Sequence, residues 1–537
     1  MEITSPFETA ATTPTTLLTG LGPLVLLTAV FLPSRLADRI GIRMARGVAA
    51  VTLATFVVTL AAAMGLLLWP QPPARTIGLG PFTAQVFIDP LSITLLLLVS
   101  FVAAVVSRYS VNYLAGEPRQ GRFAKWLAVT AGSVLVLILS GNLLLFTLAW
   151  VATSLSLHQL LTFYGDRSAA RAAAQKKFVI SRLGDACMVG ALVLTWRSFG
   201  TWEFSKLFSL AEAMRASETP SESLGGISIL LVCSALLKSA QFPFHSWLPD
   251  TMEAPTPVSA LMHAGIINAG GFLVVRLSPL IASSPAALNA LALIGAFTAL
   301  FASVVMLTQT SVKRSLAYST IAQMGFMMLQ CGLGAFALAV LHLVAHSFYK
   351  AHAFLSSGSI VAMSRSAWVP AGRPAAHPLI LAATLATAVV VTGLIGGLFG
   401  VTPASGAGVL LLSAVFTMAV AHLLWNLWSS SHRAGLVAWG LGISTAASTS
   451  YFALHAVVEK LLARSLPHYA PDRAPWEYGV MLLVVLLFLA VLVLQSQLPA
   501  WSSSRPGRAL YVHASQGFYL GTLANRMVGA LKHKAAV

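Results

Sequence analysis

The chain has 537 residues, of which 57% are hydrophobic and 9% charged, with a mean hydropathy of +0.81. Soluble domains carry about 25% charged residues, so this composition excludes a soluble enzyme and predicts an integral membrane protein. The net charge of +17 does not indicate nucleic acid: the basic residues sit in short segments between apolar runs, and no basic, aromatic-studded stretch could track a phosphate backbone.

The opening MEITSPFETAATTPTT lacks the cationic start of a signal peptide, so the first apolar run is expected to be a retained helix. About fifteen runs of spanning length, roughly 17–25 residues each, follow along the chain. They lie near 15–33, 47–69, 88–112, 124–140, 142–164, 178–198, 225–246 and 257–277. The rest lie near 286–307, 315–332, 335–362, 379–400, 407–428, 436–459 and 479–498. Strand-period alternation is absent, so the fold class is all-α and polytopic rather than a barrel.

Lysine and arginine in the connecting segments set the orientation. One side receives Arg35, Arg39, Arg43 and Arg46, then Arg119, Arg122 and Lys125, then Arg167, Arg171, Lys176 and Lys177. It later receives Lys313 and Arg314, Arg365 and Arg373, Arg433 and the basic tail. The other side holds Arg75, Lys206, Arg215 and Lys460, with the acidic residues Glu203, Glu212, Glu218 and Glu222. This bias predicts an outer N-terminus and a cytoplasmic C-terminus in a bacterial inner membrane. After the last span, Pro499, Pro506 and Gly507 mark a linker. A loosely amphipathic tail follows, read either as a helix on the anionic leaflet or as a docking element for a cytoplasmic partner.

Chemistry concentrates between about 124 and 363, where most intramembrane polar residues fall. Lys238 stands mid-run, and an ammonium at the bilayer centre costs about 2.5–3.5 kcal/mol even on the lenient insertion scale. Pro243 follows by five residues and has no amide to continue the helix, so the helix should kink near Lys238. A charge beside freed backbone groups points to a hydrated ion path, against the alternative of a lysine snorkelling to an interface. His263, in the next span, is either a hydrogen-bonded structural residue or a proton carrier, since imidazole titrates near neutrality. In LHLVAHSFYKAHAFLSSG, His342, His346 and Lys350 recur at i, i+4 and i+8 along one helical face, which reads as a relay. Lys313 heads the preceding span and reads equally well as a relay member or as a topology residue. The three cysteines, Cys187, Cys233 and Cys331, are isolated inside spans. They read as packing thiols, with no metal site and no disulfide framework.

The stretches KKFVISRLGDA, LKSAQFPFHSWLPDTMEAPTPVSALMHAG, VKRSLAYSTIAQMGFMML and HLVAHSFYKAHAFLSSGS resemble the core of a known family. That family is the antiporter-like subunits of respiratory complex I and of Mrp-type cation/proton antiporters. The resemblance covers roughly residues 85 to 365 well and the remainder loosely. It implies two inverted five-helix repeats, each with a broken helix. It places the family's mid-membrane lysine on Lys238, its following histidine on His263 and its histidine-rich helix on His342, His346 and Lys350. An element that modulates the first half-channel falls on Arg182 and Asp185. The implied division is N-terminal helices over 1–113, repeats over 114–280 and 281–430, C-terminal helices over 431–498 and a tail over 499–537.

Two departures stand out. The family's Trp-Glu pair in the fifth helix is here Trp150-Val151, with His158 seven residues on, on the same face, as a partial substitute. The second broken helix, ATAVVVTGLIGGLFGV, carries no lysine or acid. Together with the missing lateral helix, the shorter length and the ending LYVHASQGFYL, these departures make the chain most similar to the membrane subunits of DAB-type inorganic-carbon accumulation complexes. The resemblance implies a large cytoplasmic partner, DabA, resembling a zinc-dependent carbonic anhydrase. Zinc is then expected in the partner and no cofactor in this chain. The membrane subunit would conduct protons or sodium ions to drive conversion of carbon dioxide to bicarbonate. The alternatives are a pumping subunit of a complex I-like oxidoreductase or Mrp antiporter, and a membrane scaffold for a cytoplasmic enzyme.

Overall fold

The computed structural model describes residues 14–68, 86–216, 222–358, 377–402, 405–428, 434–466, 474–501 and 504–535. Among these residues the fold is all-α. No strand forms, and two isolated β-bridges join Val86 to Ser140 and Asn142 to Glu203. Eleven helices are long and apolar enough to cross a membrane, and two shorter apolar helices cover Leu18–Phe31 and Ser223–Lys238.

The principal helices begin with α1 (Pro14–Thr28), α2 (Gly41–Leu68), α3 (Pro90–Tyr113), α4 (Gln120–Leu139), α5 (Leu143–Leu161) and α6 (Ser168–Phe199). Next come α7 (Glu222–Lys238), α8 (Thr256–Ala264), α9 (Ala269–Arg276), α10 (Pro285–Met306), α11 (Val312–Gly332) and α12 (Phe336–Leu355). The last are α13 (Pro378–Leu398), α14 (Ala407–Trp428), α15 (Ala434–Leu462), α16 (Pro475–Trp501), α17 (Arg505–Ser515) and α18 (Leu520–Ala535). Local chemistry sets several starts. Asp89 Oδ1 accepts from the Ser92 amide at 2.8 Å ahead of Pro90, and Asn142 Oδ1 accepts from the Leu145 amide at 2.7 Å. Such caps satisfy amide donors that the first turn leaves free.

The chain divides into two compact units: Met1–Ser234 with Glu253–Ala269 and Ser347–His352, and Ala235–Met252 with Gly270–His346 and Ala353–Val537. In the first, α4 packs against α1, α2, α3 and α5, α5 against α6, and α8 against α3. Lys125 is counted above with the connecting segments, but it lies buried within α4, its Nζ donating to the Leu32 carbonyl at 2.7 Å. Lys176 and Lys177 likewise lie inside α6, which starts ten residues before the apolar run does, at Ser168 rather than 178.

In the second unit α10 and α11 form the most intimate pair. A Cβ on Gly295 would stand 2.6 Å from the Gly325 carbonyl oxygen, and one on Gly325 would stand 2.7 Å from that of Gly295. Only glycine on both helices lets the backbones approach so closely, as at small-residue crossings in membranes. Ala296, Leu329, Leu338, Leu411 and Met481 then join α10, α11, α12, α14 and α16 in one apolar cluster. Much of α15 and α16 stays exposed, including Trp439, Val457, Leu482 and Leu486, as expected of faces turned to lipid. The tail packs on this unit: Gln309 Nε2 donates to the Ser515 carbonyl at 3.2 Å, and the Phe301 and Phe518 rings are 5.7 Å apart. Tyr511, Val512, Leu523 and Met527 remain exposed on it.

Candidate functional site

Helix α7 ends on Lys238, which is buried. The Ser239 amide completes the last regular bond to Ala235 O at 2.9 Å, whereas the Gln241 amide reaches back five residues to Leu236 O at 3.1 Å. Between them Ala240 adopts φ +51°, a left-handed conformation uncommon for residues with a side chain. Pro243 supplies no amide and disfavours helix in the residue before it, so the predicted kink becomes a full stop. The freed chain is held by protein: Gln241 Nε2 donates to Ser239 O at 2.8 Å, and the Phe242 amide donates to Thr298 Oγ1 at 3.1 Å. Gly270 makes room for the break, since a Cβ there would overlap Ser239 Oγ and sit 2.5 Å from Ala235 O or closer. A lysine at a break whose backbone polar groups are satisfied by protein fits the condition for irregular chain at membrane depth.

The same unit holds His342 and His346 on α12, their ring centroids 6.3 Å apart. His342 is clasped from α11: Nδ1 lies 2.9 Å from Gln330 Oε1 and Nε2 lies 2.6 Å from Gln323 Oε1. Two carbonyl oxygens require two N–H donors, which only the protonated ring provides. Turning either amide over presents an NH2 donor instead and accommodates the neutral ring. The two glutamines can therefore satisfy both charge states of His342, which suits a proton carrier. Lys313 stands half-buried at the start of α11, next to Arg314, whose guanidinium donates to the Tyr318 hydroxyl.

The first unit contains Lys350, fully buried, and His263, also fully buried, close enough to interact electrostatically. Past His263 the helix breaks: α8 ends at Ala264, and Gly265 leaves helical geometry at φ −127° and ψ −63°. Asn268 Nδ2 secures the break by donating to Ala264 O at 3.1 Å and to Ser347 Oγ at 2.8 Å. Hence the segments carrying His263 and Lys350 are tied within one unit, although their residues are far apart in sequence.

A second cluster lies along α6. Arg182 and Asp185 form an ion pair at 2.6 Å. Lys177 is 2% exposed, its Nζ donating to both Ser154 O and Ser154 Oγ at 2.9 Å. His158 lies against Phe178, the rings tilted with 5.2 Å between centroids, and is within electrostatic range of Lys177 and Arg182. His158 is thus placed within electrostatic range of two cations, two turns along α5 from Val151.

Three sets of residues went unassigned in the sequence. Gln323 and Gln330 stand at i and i+7 on α11, a polar stripe in an otherwise methionine-rich helix, and that spacing was the available signal. Lys177 sits too close to a loop, by sequence, to be read as buried. Arg276, 3% exposed at the end of α9, has no sequence signal that separates it from a topology residue.

Residues 140–369, which include every site residue named above, match the family described as "NADH:quinone oxidoreductase/Mrp antiporter, TM". Residues 76–124 match "NADH-Ubiquinone oxidoreductase (complex I), chain 5 N-terminus". The chain is 44% identical over 458 residues to a probable inorganic carbon transporter subunit, DabB2, of Halothiobacillus neapolitanus, covering 84% of this chain and 81% of that protein. It is 46% identical over 278 residues to the probable inorganic carbon transporter subunit DabB of Hydrogenovibrio crunogenus, covering 52% of this chain and 53% of the relative. Among solved structures, the Mrp complex from Dietzia sp. DQ12-45-1b shares the fold, with a TM-score of 0.65 at 22% identity over 98% of this chain and 60% of that one.

Proposed function

Because the chain belongs to the DabB family of inorganic-carbon transporter subunits, within the antiporter-like proteins of complex I and Mrp systems, we propose that it is a proton-conducting coupling subunit. It drives inorganic-carbon uptake by a large cytoplasmic zinc subunit resembling carbonic anhydrase, of the DabA type. In this reading the hydration of carbon dioxide to bicarbonate occurs in the partner, and this chain makes and breaks no carbon–oxygen bond. It crosses a bacterial inner membrane about fifteen times, N-terminus outside and C-terminus inside, with two inverted repeats over 114–280 and 281–430. Lys238, His263, His342, His346 and Lys350 carry the proton, Arg182 and Asp185 modulate its access, and His158 and Lys313 stand at the flanks.

The observation that supports this most directly is the clasp on His342, whose two glutamine partners suit either charge state. A structural histidine needs one fixed tautomer and one fixed set of partners, whereas a carrier must be stabilised before and after each transfer. The test is Lys238→Ala in cells that depend on inorganic-carbon accumulation, with uptake of labelled inorganic carbon normalised to subunit in the membrane. Alanine is cheaper than lysine in lipid, so insertion should survive. Uptake should fall at least tenfold, about 1.4 kcal/mol or more in the driving step. Undiminished uptake at normal abundance would refute the role.

A further inference from the structure

The second unit carries an open pocket of about 340 Å3 that none of the residues assigned so far lines. Its walls come from Leu333–Leu338, from the first turns of α14 and from the last turns of α15. It therefore lies at the end of the unit opposite Lys313 and Arg314, since α11 begins with those cations and runs to Gly332 at the cavity. Two ionisable side chains face it from α15, His455 and Glu459, one turn apart with Nε2 and Oε2 separated by 3.9 Å. Among the described residues, Tyr451 and Tyr478 are the other titratable groups that line it.

The pair is poorly suited to a structural role. Its atoms are too far apart for a hydrogen bond, and Glu459 is 49% exposed, so an attraction of this kind adds little stability. His455 Nδ1, moreover, is buried with no hydrogen-bond partner among the described residues. A buried imidazole nitrogen without a partner beside a water-accessible carboxylate is an arrangement for taking up and releasing a proton.

Leu338 forms part of its wall, and His342, which does not line it, lies four residues further along α12, one helical turn or about 6 Å along the axis. His342 is in turn clasped by Gln330 and Gln323 and followed by His346. The helix α13, PLILAATLATAVVVTGLIGGL, offers no titratable side chain, so it supplies no alternative station in this half of the unit.

We propose that His455 and Glu459 form a proton-loading site at the outer mouth of the chain, on the pocket they line. Glu459 takes a proton from outside water and passes it to His455. His455 takes it on Nε2, the nitrogen facing Glu459, and releases it from the same nitrogen to water in the pocket, returning to the neutral ring each time. The pocket has room for several waters beside the pair. The proposal deepens the proton-conduction reading above and rests on it.

Two measurements on the full complex test it. First, Glu459→Cys is exposed to a membrane-impermeant maleimide in intact cells and in inside-out vesicles, with the unsubstituted chain as background. Labelling in intact cells and protection in inside-out vesicles is expected; the reverse pattern overturns the proposal. Second, uptake of labelled inorganic carbon is followed against external pH in Glu459→Gln, His455→Gln and Glu459→Asp. The two glutamine variants should lose at least tenfold at alkaline external pH, where protons are scarce, and recover partly as external pH falls, while Glu459→Asp stays near wild type. Wild-type uptake in both glutamine variants at normal abundance, or a defect relieved by sodium rather than by protons, overturns it. Lys238→Ala run alongside separates the failures. If that variant is inactive while both glutamine variants transport normally, only the loading site is wrong. If Lys238→Ala transports normally, proton conduction fails and the loading site fails with it.

Discussion

At the scale of single residues, the groups that carry charge differ from those that manage it. Lys238, His342 and Lys350 are conspicuous in sequence because a titratable group in an apolar run is costly. The residues that make them tolerable are neutral: Gln323 and Gln330 around His342, Thr298 and Gln241 at the break after Lys238, and Ser154 under Lys177. This division yields a prediction. Gln330→Leu removes the partner of His342 Nδ1 and leaves that nitrogen unsatisfied, a penalty of about 1–3 kcal/mol for a buried polar group. The penalty falls on whichever charge state needs the bond, so uptake should drop about tenfold while the subunit stays in the membrane. Gln330→Glu, which keeps an acceptor, should retain more uptake than the leucine variant. Equal activity in wild type and Gln330→Leu would show that the clasp is incidental.

At the scale of elements, the proposed relay depends on how α10, α11 and α12 are set against each other. The glutamines reach His342 because α11 is drawn against α10 by Gly295 and Gly325, which fixes its rotation and depth. Gly325→Leu should force the helices apart, cost about 1–3 kcal/mol or more through overpacking, and lower thermal stability in detergent together with uptake. A variant with unchanged melting would count against so close a seam. A second prediction concerns α12 itself. The rings of His342 and His346 are 6.3 Å apart, so protons passing along a series path stop at either loss. Uptake in the double alanine variant should equal that of the weaker single variant, whereas independent roles would multiply the defects. Much of this level was legible in the sequence. Helices were visible as apolar runs, a kink near Lys238 was expected from Pro243, and the spacing of four put the α12 stripe on one face. What was hidden depends on contacts between distant segments. Gly265 leaves the helix without a proline to announce it, and the break is secured by Asn268 binding Ser347, which no local pattern encodes. Lys177 reads as a topology residue until α6 is seen to start at Ser168. His455 and Glu459 sit at the end of a span, where ionisable residues are common, and only the cavity singles them out.

At the scale of the whole molecule, transport and carbon chemistry are assigned to different chains, and that assignment can be tested without a transport assay. Catalytic zinc needs about three protein ligands and one open position. Among the described residues, no group of three or more His, Cys, Asp or Glu side chains lies close enough to hold a metal. His342 and His346 lie one turn apart along a single helix. On the proposed division of labour, the chain purified alone should carry substoichiometric zinc and show no hydration of carbon dioxide above the uncatalysed rate. The complex purified through a tag on this chain should contain a large second subunit and about one zinc per pair. Lys238→Ala should leave that stoichiometry unchanged, because the lysine lies at a helix break in the membrane part and contributes nothing to the partner's metal. Metal analysis and mass spectrometry of the three preparations decide the matter. Tightly held zinc in the isolated chain would move the chemistry into this subunit, and loss of zinc on Lys238→Ala would mean that the break also governs assembly.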